Sequence, residues 1–536
     1  MFPMKIFKSI FLFSIITLFT GCTYVLKKNE IKSELESTSN YGRFLSTKYS
    51  LKVGENEIAT NIISKSKNLH LDLTLAELNF NSYLINGDFK KAKEFKLIAP
   101  SRLNKSPMYN LPDLVINLKN GNFFDSINLN FMKNELPGFK IIFEKLNYIK
   151  LVKTNNYENV VIDLNKSNIF DLLIFEDTKI ENQIYSNMKK TDLTMIENIL
   201  FLKYLKRKYP KTFNKEISSF SIRFNYDINS LKLYFKNEKK TDRKFMFANL
   251  FSYLSFVLSS KKNIPNSYLK ILNEISYFLE PTLGSSNYFL AEIYSGEKNF
   301  KIALKKLNRI ERNSIMFLYS EIKKYKILKI IDKKKSNLFL KSIYKRYPNS
   351  NEVLSLIAND YRDKEKCDKA IKIYDKLIKL SFNKDNFYYR KAICLDKLDQ
   401  WEDSKKILIE LISRNPKDAY ILNYLSYSMA IRNEDLIQAK KLINRALEIE
   451  KNNGFFLDTL GWIQFKLNDI DKAIRTIQLA IELEPNNSEI IDHLGDIYYK
   501  SGRKKEAVYE WNRALIGNAN NKLKKDIRFK LNKYKK

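Results

Sequence analysis

The chain has 536 residues, 44% of them hydrophobic, a composition that folds over most of its length. Lys and Arg number 94 against 60 Asp and Glu, a net charge of +34, yet the lysines are spread along the whole chain without an arginine-rich stripe or a nucleic-acid module. Two histidines (His70 and His493), three cysteines and 13 glycines leave little material for catalysis, metal binding or phosphate loops, and no nucleophile elbow or His-Glu metal motif occurs.

Residues 1–21 open with Lys5 and Lys8, continue with an apolar run from Ile10 to Phe19, and end in Thr20-Gly21 before Cys22. The run is shorter than the roughly 20 residues a membrane-spanning helix needs. A basic start, a short apolar core and small residues before a cut predict a secretion signal. With cysteine placed directly after "FTG", the segment resembles a bacterial lipoprotein signal. The resemblance implies that the Cys22 thiol is acylated and that the mature chain faces the periplasm from a membrane. Thr23 in place of Asp points by the same analogy to the outer membrane over the inner. Residues 22–40 carry few large apolar groups and read as a tether, reaching roughly 60 Å when stretched at about 3.3–3.6 Å per residue.

Residues 41–160 contain what read as turns between paired helices: "LKVGENEIAT" (Gly54, Ala59), "LINGDFKKAKEF" (Gly87, Asp88, Phe89, Ala92) and the degenerate "KTNNYENVV" (Asn156, Tyr157, Val160). Residues 161–245 are less regular. "NVVIDL" and "DLLIFED" favour strands by propensity, but their place between repeat-like segments predicts helices, because long structureless gaps are uncommon in compact folds. Residues 246–350 resume the pattern with Leu290, Ala291, Tyr294, Phe300 and Ala303.

Residues 351–521 repeat most clearly. Leu460 and Gly461 recur as Leu494 and Gly495, Ala473 as Ala507 and Ala480 as Ala514, each 34 residues on. Pro348, Pro416 and Pro485 lie 68 and 69 residues apart, the odd residue falling in the longer turn "IRNEDLIQA". Within a unit, Leu457, Leu460 and Trp462 belong to a first helix, and Ile474, Ile477 and Ile481 to a second, at three-to-four spacing. Trp401 and Trp511 fall at inter-helix positions and read as core. A period near 34 is the mark of a helix–turn–helix array. The unit resembles the tetratricopeptide repeat (TPR), matched at Leu457, Leu460, Gly461, Ala473, Ile477, Ala480 and Pro485, and again at Ile491, Leu494, Gly495, Tyr498, Gly502, Ala507, Trp511 and Ala514. The stretches "LNYLSYSMA", "LDTLGWIQ" and "IDHLGDIYYKSGRKKEAVYEWNRAL" resemble envelope TPR proteins of α-proteobacterial type.

The resemblance implies an all-α fold, a right-handed superhelical α-solenoid in which stacked hairpins supply one another's core. Residues 522–536 then read as a basic capping helix whose Leu523, Ile527 and Leu531 cover the last hairpin. In the family, fixed positions of each first helix line a partner groove. Here they are Tyr420, Asn423, Tyr427, Phe455, Asp458, Trp462, Phe465, Glu489, Asp492, Asp496 and Tyr499. Aromatic rings with carboxylates suit a peptide or helix bringing apolar anchors and a basic group. The acids at Asp458 and Asp492 speak against gripping a terminal carboxylate.

The expected function is a membrane-tethered, non-enzymatic scaffold for protein partners, with no cofactor, metal or nucleic acid. The alternative is an enzyme or a glycan- or lipid-binding protein with its site in 161–245. Cys367 and Cys394 leave two readings open, a disulfide in an oxidising compartment or two small thiols filling core positions.

Overall fold

The computed structural model describes residues 39–53, 55–66, 72–156, 167–188, 193–223, 231–232, 234–236, 242–380 and 384–535. Among them lie 28 α-helices, two short 3-10 helices and no strand. Cys22, the signal segment, His70 and "NVVIDL" lie outside the described residues, as do Gly54, Tyr157 and Val160. The architecture is an α-solenoid of helical hairpins. It divides into two compact units, one extending to Ile343 and one spanning Tyr344–Lys536.

The first unit begins with hairpins such as Asn40–Lys52 with Asn56–Ser64, and Leu73–Asn86 with Phe89–Phe95. Gly87 makes the turn of the second hairpin at φ 80°, a left-handed conformation open to glycine at no steric cost. Asp72 starts that hairpin by accepting from the backbone N–H groups of Thr74 and Leu75. "DLLIFED" lies mainly in the helix Ile169–Ile174. A capping box between Asn168 and Asp171 fixes its start, and the buried Lys145 ammonium donates to Asp171 at 2.6 Å. Local capping and a tertiary ion pair thus outweigh β-propensity.

Stacking in this unit is not confined to sequence neighbours. Phe89 meets Phe278 edge-on at 5.3 Å, Phe123 stacks on Phe247 at 5.8 Å, and Phe139 meets Phe251 at 6.0 Å. The Lys119 ammonium donates to the carbonyls of Phe278 and Leu279 at 2.8 and 2.9 Å, satisfying the open end of the helix Asn266–Leu279. Asn56 donates to the Tyr294 hydroxyl at 2.7 Å. One apolar cluster consequently runs from Ala76 to Ile327.

The second unit is regular. Its five hairpins are I (Asn351–Asp363, Cys367–Leu380), II (Asp385–Lys397, Trp401–Arg414), III (Ala419–Ile431, Leu436–Ile449), IV (Gly454–Lys466, Ile470–Leu483) and V (Ser488–Lys500, Lys504–Ile516). The helix Asn521–Lys535 follows. First helices start at 351, 385, 419, 454 and 488, so the interval is 34 residues except for 35 after hairpin III. The extra residue sits in the turn of hairpin III, four residues (432–435) where the others have three. Each turn holds one left-handed residue at the equivalent place: Glu365, Asp399, Asn433, Asn468 and Gly502, with φ between 51° and 84°. The longer turn needs a second, Asp435 at φ 34°.

Close helix approach explains the small residues. A Cβ on Gly461 would stand 2.6 Å from the Ile477 side chain, and one on Gly495 2.5 Å from Trp511. Ser404, at the usual alanine position, is buried and donates to the Ala392 carbonyl at 2.8 Å, which offsets the cost of burying its hydroxyl. Trp401 and Trp511 are core residues. In the last helix Ile527 is fully buried, with Leu523 and Leu531 packed on the same cluster.

A candidate partner face on the C-terminal repeats

The first helices of hairpins III to V are set in register by their N-caps. Asp418 accepts from the backbone of Tyr420 and Ile421, Asn453 from Phe455 and Phe456, and Asn487 from Glu489 and Ile490. Repeat spacing then places Tyr420, Phe455 and Glu489 at one equivalent position, and all three are exposed. Tyr420 is 56% exposed and meets Phe456 edge-on at 5.5 Å, while Phe455 is 51% exposed. Tyr499 is also exposed, 5.5 Å from Trp511 and 6.0 Å from Tyr534 of the last helix.

Deeper in the same face, Asp458 is buried and its Oδ1 lies 2.8 Å from Nδ1 of His493. Trp462 stacks on the His493 ring at 4.5 Å and 27°, with Tyr427 at 6.5 Å. Phe465 lies 5.2 Å from Trp462. Burial opposes a charge on His493, but the carboxylate and hydrogen bond of Asp458 outweigh it and raise the imidazole pKa above 6.5. Burial, then the charge of Asp458, raises the Tyr427 phenol above its usual 10. Asn423 is half-buried, and its Oδ1 and the Trp462 Nε1 are buried without a hydrogen-bond partner.

At the far end, Lys530 of the last helix reaches both oxygens of Asp492 at 2.8 Å and Asp496 at 2.7 Å. Asp496 also accepts from Trp511 Nε1 at 3.1 Å. Burial and the neighbouring Asp496 raise the Asp492 pKa against the pull of Lys530. The expected acidic lining is therefore corrected: Asp458, Asp492 and Asp496 are neutralised by the chain's own His493 and Lys530, and Glu489 remains as the exposed acid. The sequence signal for these partners was the period itself. His493 follows Asp458 by 35 residues and Lys530 follows Asp496 by 34, so each cation sits one repeat beyond its acid. The same backward reach links Arg390 to Asn359 at 2.7 Å and Tyr424 to Asp396 at 2.8 Å.

Cys367 and Cys394 are free thiols here, not a disulfide. Both are buried beside Leu354, Ala358 and Tyr374, with Cys394 hydrogen-bonded to Cys367. Burial first, then Cys367, pushes the Cys394 pKa up to about 12, so the thiolate needed for exchange is scarce. Among the described residues no cluster of three or more His, Cys, Asp or Glu is placed to hold a metal, and no helix is long and apolar enough to cross a membrane.

The regular hairpins can now be set beside known proteins. Two stretches match tetratricopeptide repeat models. They are residues 387–418 and 456–487, covering most of hairpins II and IV. A TPR repeat-containing protein of Pseudomonas aeruginosa is 30% identical over 81 residues, 15% of this chain and 14% of its own length, so the chain spans about one seventh of that relative. A tetratricopeptide repeat protein from Parabacteroides merdae superposes with a TM-score of 0.42 at 12% identity, over 47% of this chain and 99% of that one. A thermophilic TPR protein from Thermus thermophilus gives 0.32 at 20% identity, over 34% and 98%.

Proposed function

We propose that this chain is a non-enzymatic scaffold of the bacterial cell envelope. An acyl group on Cys22 tethers it to a membrane, the outer in preference to the inner, facing the periplasm, and its C-terminal TPR units grip partner proteins. The observation that carries the binding reading is the exposed row Tyr420, Phe455, Glu489, one side chain per repeat at a single equivalent position. Large rings left in water on a rigid helical scaffold are the side chains that dominate binding energy once covered. A partner peptide or helix that fits the row brings two apolar anchors one repeat apart and a basic group beyond them.

The test is crosslinking in intact cells, purification from membranes, and comparison of wild type with Tyr420→Ser/Phe455→Ser. Both rings are exposed, so the variant keeps its fold. A defined envelope protein captured by wild type and lost from the variant is the expected result; equal capture by both overturns the assignment. Labelled palmitate taken up by wild type and not by Cys22→Ala tests the tether separately.

One observation favours the second reading, a small-ligand site near the middle segment. A cavity of about 320 Å³ in the first unit is lined by Met195, Ile199, Phe245, Phe289 and Met316 among others, a size that suits a small amphiphile. Native mass spectrometry of protein extracted from membranes would reveal such a ligand as added mass.

A further inference from the structure

The first unit carries a surface of a different chemistry from the aromatic row. The helices Phe317–Ile331 and Lys333–Arg346 are joined by the single residue Asp332. Around this joint Ile330 is 68% exposed and Leu338 70% exposed, with Ile331 also in solvent. Lys326, Lys333, Lys334 and Lys341 are exposed beside them. Lys326 and Ile330 are one turn apart on the first helix, and Lys334, Leu338 and Lys341 share one face of the second. Asp332 is the one acid between residues 322 and 345, and it is already engaged by the backbone N–H of Lys335 at 2.9 Å and its ammonium at 3.3 Å.

We propose that this joint is a contact site for anionic lipid headgroups at a membrane surface. Aliphatic tips ringed by lysines and lacking acids complement a phosphate-bearing interface, where lysine stems lie along the apolar layer while their ammonium groups reach the phosphates. A protein partner fits less well. The exposed part of the joint, from 326 to 341, has no Trp, Tyr or Arg, the anchors of protein interfaces, and lysine is depleted in such interfaces. The proposal deepens the membrane-tethered reading, since a single acyl chain holds weakly and a basic patch is the kind of second contact that makes anchoring stable.

The experiment uses the full-length chain carrying Cys22→Ala, so that no acyl group contributes. Binding is measured to vesicles of phosphatidylcholine alone and with phosphatidylglycerol added. We expect tighter binding to the anionic vesicles. In Lys333→Glu/Lys334→Glu/Lys341→Glu that preference should fall on the order of a hundredfold. In Ile330→Ser/Leu338→Ser it should fall on the order of tenfold. The control Lys500→Glu/Lys505→Glu/Lys522→Glu reverses three exposed charges of the second unit and should leave the preference unchanged. Unchanged binding in the first two variants, or an equal loss in the control, overturns the proposal. A photo-crosslinker at position 338 in cells gives a second readout: a lipid adduct supports it, and a protein adduct overturns it. Because no acylation enters, failure here leaves the palmitate test of Cys22 intact.

Discussion

His493 shows how one side chain can be held by an array that surrounds it. Its ring is stacked on Trp462 and tied to Asp458 of the preceding repeat, and these contacts raise its pKa above 6.5 despite burial. A histidine whose folded pKa is raised contributes stability that is complete below the unfolded value of about 6.5 and lost as pH climbs through the folded one. Urea unfolding of wild type and His493→Gln across this range should show the wild-type advantage shrinking as pH rises; a pH-independent difference would mean that stacking, not charge, holds the ring. The histidine was legible in the sequence as a structural residue, and Trp462 as a groove residue, but not their mutual contact. Side chains on neighbouring repeats meet through rotamers that spacing does not encode.

At the scale of the element, the period was the legible quantity, and it survives down to single residues. The one-residue excess between Pro416 and Pro485 is the longer turn of hairpin III, with its second left-handed residue. Left-handed backbone costs an L-residue about 1–2 kcal/mol, less glycine's own entropic penalty. Glu365, at φ 57°, stands where Gly502 stands in hairpin V. Glu365→Gly should therefore stabilise the second unit by roughly 0.5–1 kcal/mol in a denaturant titration. No gain would imply that the Glu365 side chain supplies an offsetting interaction. In the middle segment no such period exists to read, and propensity pointed the wrong way for "DLLIFED". Its helix depends on the Asn168–Asp171 box and on Lys145, 26 residues earlier than Asp171.

For the whole molecule, the two units carry separate apolar clusters, one from Ala76 to Ile327 and the others from Leu354 onward. Calorimetry should then resolve more than one transition. Asp171→Ala strands the buried Lys145 ammonium with only Glu144 nearby, and should lower the transition of the first unit by about 3 kcal/mol. Gly495→Val forces a side chain into Trp511, and should lower the transition of the second by about 3 kcal/mol. Each variant moving the same transition would contradict independent cores. The long-range packing of the first unit was beyond the sequence. Phe89 and Phe278 are 189 residues apart, and nothing in a degenerate repeat says which distant helix it will meet.

The helix Asn521–Lys535 begins 33 residues after Ser488, so it occupies the place of a sixth first helix. Its Phe529 falls 34 residues after Gly495 and 68 after Gly461, and it is 71% exposed. A second helix docking there as in hairpins IV and V would meet a benzyl group where its predecessors meet a hydrogen atom. One side chain thus acts as a full stop. Lengthening this array by duplication would have to insert new hairpins ahead of that position, or first replace the phenylalanine with something small.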